Sequence, residues 1–239
     1  MKFIQNAPAI IHKDGIIVSD THFGIESRLR EKGIYQSNFS LHLCDKLIAL
    51  AKKHKKKKII IVGDVKENIT SVENETRAAL AKLVAACKVQ VVKGNHDGGL
   101  EYAGITGIDI VGPEGFVFSG VGLVHGHAWP DEKLMKCKYI ICGHQHQHIT
   151  FNDTFGKRHS EPAWIIAPLE KENAKKYFRK LSSTIKLILM PPFNPLVGKT
   201  LNMRNEKQLG PLLNNKIFKL ERALVVRLDG TMLGKLRGL

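Results

Sequence analysis

Through its first 145 residues the chain alternates short, continuous runs of apolar, mostly β-branched residues with longer stretches of helical period, and few folds accept that order. The runs Gly15 to Ser19, Ile59 to Val62, Val89 to Val92, Val121 to Val124 and Tyr139 to Cys142 lack polar alternation, the mark of strands buried on both faces. Between the first two, Phe39, Leu43, Leu47 and Leu50 recur at helical spacing behind Ser37 or Asn38 as N-cap. Between the second and third, Thr76, Leu80, Leu83, Val84 and Cys87 repeat the pattern. Strand, helix, strand in succession predicts an α/β fold with a mainly parallel sheet and right-handed crossovers.

After about residue 150 the texture becomes β-rich. Ala163 to Ala167, Ile185 to Met190 and Leu224 to Leu228 read as strands, and Glu170 to Lys180 as the one helical stretch. Asp229-Gly230 is a hairpin signal that closes Ala223 to Leu228 onto Thr231 to Leu236. Pro191 to Pro195 interrupts this half, yet no Ser/Gly-rich linker separates it from the first, so residues 1–239 are expected to form a single domain.

Composition excludes several classes. At 43% hydrophobic over 239 residues the chain can bury a sizeable core, which rules out disorder and collagen. No apolar stretch approaches the roughly 20 residues of a membrane span, and MKFIQNAPAI lacks a signal-peptide apolar block, so a cytoplasmic protein with no membrane partner is expected. Cys44, Cys87, Cys137 and Cys142 show no metal-type spacing and read as reduced, buried thiols. The net charge of +15 raises the prospect of a polyanionic partner, chiefly nucleic acid. It is concentrated in Lys52 to Lys58 (six basic residues, none acidic), Lys171 to Lys186 (six to one) and Lys199 to Leu239 (nine to three), leaving the remainder near neutral.

Of 11 histidines, seven fall directly after predicted strands. In an open α/β sheet, residues following the strands converge on one crevice even when distant in sequence. Five packets are presented there: SDTH (Asp20, His22), GD (Asp64), GNHD (Asn95, His96, Asp97), HGH (His125, His127) and GHQH (His144, His146). Taken singly, Asp-x-His reads equally as a cap or turn, and Gly-Asp carries little. GNHD and GHQH weigh more, because clustered His, Asn and Asp are expensive to bury without partners. Carboxylate, amide and imidazole suit Mn, Fe, Co, Ni or Zn, and the number of groups exceeds the needs of one tetrahedral ion and suffices for two.

The ordered set DxH, GD, GNHD, H and GHxH resembles the calcineurin-like metallophosphoesterase superfamily, over essentially the whole chain. SDTHFGIE, GNHDGGLE, HGHAWP, PPFNPLVG and LDGTMLGKL further resemble its small SbcD-related group, which has a DNA-ligase-associated nuclease branch. The resemblance implies a four-layer α/β sandwich, two mixed β-sheets flanked by helices. It implies two divalent ions, Mn foremost with Fe, Ni, Co or Zn as alternatives: one held by Asp20, His22 and His146, the other by Asn95, His125 and His144, with Asp64 bridging. The implied reaction is phosphodiester hydrolysis by a hydroxide between the ions, with His96 as general acid and Asp97 orienting its imidazole. Asn95 supplies a neutral ligand that keeps its ion electrophilic. His127 is expected to face substrate or to be an internally satisfied histidine, and His148 to lie on the rim. Lys66 reads equally as a phosphate contact or a solvated lysine, and Trp129 as a rim aromatic. One departure stands out: the group commonly has His after GDVK, where this chain has Glu67.

The expected activity is a nuclease or phosphodiesterase. The alternatives are a small-molecule phosphodiesterase or phosphatase and, in another class, a catalytically idle scaffold for protein assembly. Completeness of the ligand set favours the enzyme. A homodimer and an ATPase partner are further expectations of the resemblance.

Overall fold

The unbroken apolar run at residues 59–62 reflects burial on both faces of the strand β4 (Lys58–Val62). In the computed structural model, which describes residues 1–152, 154–200 and 210–238, Ile59 and Ile61 pack toward helices on one side. Ile60 and Val62 pack toward a second sheet on the other. β3 (Gly15–Val18) and β5 (Lys88–Val92) follow the same division, with Ile17 and Val92 on the inner side. Each such isoleucine is worth about 1.5–3 kcal/mol of burial.

The first sheet has the order β1 (Lys2–Phe3), β2 (Ile10–His12), β3, β4, β5, β6 (Ile108–Val111). β1, β2 and β3 are antiparallel neighbours, and β3 through β6 run parallel. Its outer face is covered by α2 (Phe39–Lys53) and α3 (Asn74–Ala86), which bury the predicted stripes, Leu43 and Leu47 from one and Thr76, Leu80 and Leu83 from the other. Asn38 takes the N-cap position of α2, although its side chain makes no capping bond. A shorter helix, α1 (Ile25–Glu31), follows directly on the first packet.

The single mainly parallel sheet drawn from periodicity is corrected here: the five early strands divide between two sheets. β8 (Val121–Val124) and β9 (Tyr139–Cys142) pair with each other in parallel and belong to the second sheet, with β7 (Phe116–Phe118) antiparallel at its edge. That sheet continues through β12 (Lys186–Leu189), β11 (Arg158–Pro168), β10 (Gln147–Asn152) and β13 (Lys199–Thr200), while β14 (Leu224–Arg227) and β15 (Met232–Lys235) extend it from β11. The last two form the predicted hairpin across Asp229-Gly230. The expected helix at Glu170 to Lys180 is only four residues long, α4 (Lys171–Ala174). With α5 (Pro211–Asn214) and irregular segments it covers the outer face of the second sheet. The sheets share a core of Ile10, Ile17, Ile60, Val62 and Val92 against Val121, Leu123, Ile141, Trp164, Ile188 and Met190. No helix among the described residues is long and apolar enough to cross a membrane. All four cysteines are free. Of the basic stretch Lys199 to Leu239, residues 201–209 and 239 lie outside the described residues.

Candidate metal centre

The carboxyl ends of β3, β4 and β5 meet those of β8 and β9 along the seam between the sheets. Backbone bonds stitch the loops together: Asp20 N–H donates to Gly63 O at 3.0 Å, and His22 N–H to Asp64 O at 2.9 Å. His96 N–H donates to the Asp64 carboxylate at 2.9 Å, and His144 N–H to Asp20 Oδ1 at 3.1 Å. Asp20, His22, Asp64, His144 and His146 all have positive φ, between 43° and 71°. Such conformations cost of order 1–3 kcal/mol each in non-glycine residues, and they gather where a site must be held. Two glycines make the closeness possible. A Cβ on Gly63 would lie 2.1 Å from His125 Nδ1, and one on Gly94 2.2 Å from Asp64 Oδ1.

All seven residues singled out as ligands come together. Asp20, His22, Asp64 and His146 each offer a donor atom within 4.8 Å of the others, as do Asp64, His125 and His144. Asp64 is common to both groups, and Asn95 Oδ1 lies 3.3 Å from His125 Nε2. His22 Nε2 faces His146 Nε2 at 3.1 Å, and His146 Nε2 lies 3.0 Å from Asp20 Oδ1. Buried carboxylates with imidazole nitrogens turned toward them and toward each other fit divalent cations. Asp20, Asp64 and His125 form the buried floor; His144 and His146 are partly exposed and Asn95 is exposed, so the donors open to solvent.

Electrostatics follow from that packing. Burial opposes charge on Asp20, yet the His146 and His125 imidazoles hold its carboxyl below the usual range. Asp64 is likewise held low against its burial by His125, His22 and the His96 amide. Burial would lower the pKa of His125, but Asp64 and Asp20 push it up to about 9. Its Nδ1 donates to Val62 O at 2.9 Å, which turns Nε2 toward Asp64. His144 is pushed down to about 3, by burial first and the neighbouring His125 second.

Two roles drawn from sequence are corrected. Asp97 does not orient His96: its fully buried carboxylate accepts N–H bonds from Gly94 (2.8 Å), Val65 (2.9 Å) and Lys66 (3.3 Å), joining the GD loop to the GNHD loop. The His96 ring instead places Nδ1 2.5 Å from Glu67 O. Lys66 offers no phosphate contact, because its buried ammonium donates to Asn68 O and Ile69 O. His127 stands beside His125 and His144, with ring centroids 5.3 and 6.0 Å away, and burial followed by the His125 charge lowers its pKa. Trp129 is exposed at 44% and packs on Tyr177, 5.0 Å between centroids. His148, on β10, is partly buried.

Sequence reasoning missed Glu67 as a member of the site. Its buried carboxylate lies 2.8 Å from His22 Nδ1 and 2.8 Å from Arg28 Nη1. Only its departure from the group's usual His pointed to the position. Cys142 was also more than filler: its thiol donates to His125 O at 3.1 Å, and burial pushes its pKa up.

Residues 15–168 match the calcineurin-like phosphoesterase superfamily domain, and the chain belongs to that family. The class this defines is metal-dependent phosphoesterase, a hydrolase of ester bonds. Among solved structures, a Pseudomonas putida nuclease, MPE, is similar at 17% identity with a TM-score of 0.56, over 90% of this chain and 85% of that one. Yfce, a phosphoesterase from E. coli, is similar at 15% identity with a TM-score of 0.44, over 92% and 96%. No curated protein matches the chain.

Proposed function

We propose that the chain is a two-metal phosphodiesterase, that Mn is its working ion, and that nucleic acid is its substrate. The observation that carries the metal assignment is the membership of Asp64 in both donor groups. Asp20, His22 and His146 would hold one ion and Asn95, His125 and His144 the other, with Asp64 available to both. When bound, two such ions neutralise phosphate charge and make a water nucleophilic at neutral pH. The chain's own residues do the rest. His96, whose Nδ1–H donates to Glu67 O, would as imidazolium give its Nε2 proton to the leaving oxygen, a contribution of about 100- to 10,000-fold. His127, half-buried beside His125 and His144, has a ring N–H to offer a phosphate oxygen. The shared core between the sheets supports a single domain over residues 1–239, the motif contexts support the SbcD-related group, and the four free cysteines support a cytoplasmic setting.

The nucleic-acid part is supported by the open donor face and by the fold shared with the Pseudomonas putida nuclease. One observation favours a small phosphodiester instead. Lys58, Lys88 and Lys186 begin β4, β5 and β12, at the opposite end of the strands from the donors. Mn-loaded protein tested on bis(p-nitrophenyl) phosphate, a cyclic nucleotide and labelled DNA and RNA across a salt series separates the readings. Cleavage of the polymers, weakening as salt rises, supports the nuclease. Turnover of the small esters alone supports the second reading, and two bound ions with no turnover support a scaffold.

A further inference from the structure

We propose that Glu67 is a positioning residue for the site, fixing the tautomer and aim of His22 through its carboxylate and holding His96 through its main-chain carbonyl. This rests on the two-metal reading above. His22 and Glu67 are 2% and 6% exposed, so both must find partners inside the protein. His22 Nδ1 and Glu67 Oε2 are 2.8 Å apart, off the line of an ideal hydrogen bond, and neither atom has a hydrogen-bond partner elsewhere among the described residues. The other carboxylate oxygen meets Arg28 Nη1.

An imidazole has two nitrogens, and whichever carries the proton leaves the other with the lone pair. With its Nδ1 against a carboxylate, His22 keeps the proton there and presents the Nε2 lone pair toward His146 and Asp64. The backbone fixes the Glu67 loop in the same place. Phe23 N–H donates to Val65 O at 2.8 Å and Glu67 N–H to Phe23 O at 2.9 Å, a short parallel bridge between the two loops. The main-chain oxygen of Glu67 takes up His96 Nδ1, so one residue meets a ligand with its side chain and the acid with its backbone. A neutral side chain at this position would bring no anionic acceptor to His22, and Glu67 gives this chain a carboxylate–histidine relay that Arg28 secures.

Donor atoms of His22, Glu67 and His96 also lie within 4.8 Å of one another, so a direct ligand role is the competing outcome. The test combines Mn binding by equilibrium dialysis with the ¹⁵N NMR signals of His22 in metal-free protein, for wild type, Glu67→Gln and Glu67→Ala. We expect wild type to bind two ions and to show His22 protonated on Nδ1. Glu67→Ala should keep one ion and bind the other about 10- to 100-fold more weakly, with a mixed tautomer. Glu67→Gln retains an acceptor oxygen and should fall between the two, with the Nδ1 proton kept. Wild-type affinity and an unchanged tautomer in Glu67→Ala would overturn the proposal, as would a third ion in wild type that the variant loses. Should Glu67→Ala not fold, Glu67→Gln decides: weakened binding at one site supports the role, and unaltered binding at both overturns it. A wild type that binds no Mn defeats the two-metal reading, while the His22 tautomer still reports on Glu67.

Discussion

At their carboxyl ends β3, β4, β5, β8 and β9 deliver two aspartates, an asparagine and imidazoles into one seam, on backbone bent into positive φ at five residues. At the amino ends the same architecture presents lysine. Lys58 and Lys88 sit on adjacent strands, Lys186 N–H bonds to Lys138 O beside β9, Lys52 and Lys53 close α2, and Lys55 to Lys57 follow it. From Lys58 to Asp64 the chain spans about 20 Å at roughly 3.3 Å per residue. Part of the net charge that stands out in the composition therefore lies at the end without the chemistry. Elsewhere some cations are paired, Arg227 with Glu161 and Asp229 and Lys219 with Glu170. Charge counts report on solubility and on distant attraction of anions; donor geometry reports on catalysis.

The sharpest way to break the contrast is at Asp64. Asp64→Ala should bind neither ion and lose on the order of 1000-fold in turnover of bis(p-nitrophenyl) phosphate, several kcal/mol of charge stabilisation. Metal analysis still finding two ions per chain would contradict a shared ligand. His96→Ala should cost at least about 100-fold in kcat with both ions retained, and an undiminished rate would end its role as acid. Asp97→Ala leaves three buried N–H groups without an acceptor, so at about 1–3 kcal/mol each the melting temperature should drop markedly. An unchanged melting curve would mean that those loops are held by something else. At the other end, Lys55→Glu with Lys57→Glu should leave bis(p-nitrophenyl) phosphate turnover within about twofold, because exposed charges about two Debye lengths away are screened. The same pair tested on DNA sharpens the comparison: a flattened salt dependence of binding would make the lysine end a second anchor for the polymer.

The strands of the two cores were legible because burial on both faces writes an uninterrupted run, as at residues 59–62 and 139–142. Which sheet each run joins was not legible: Ile60 and Ile141 meet across the core, and periodicity carries no label for the opposing layer. Short edge strands such as Lys2–Phe3 have too few residues for a pattern. The donors could be read because packets after strands have little choice of location. Asp97 misled because sequence adjacency to His96 suggested contact, whereas its carboxylate turns down to the amides of two loops. Glu67 could not be paired with His22 without the parallel bridge that brings their loops together.

Each donor group draws from both sheets: Asp20, His22 and Asp64 stand with His146, and Asp64 stands with His125 and His144. An ion in either group would therefore act as a rivet through the sandwich, and the thickness of the core set by Ile60 and Leu123 becomes a gauge for the spacing of the donors. Chelation should loosen the layers as well as stop the chemistry, since a ligand bound only by the folded state stabilises it by mass action. Conversely, trimming a core isoleucine far from any donor should be felt as weaker hold on the ions.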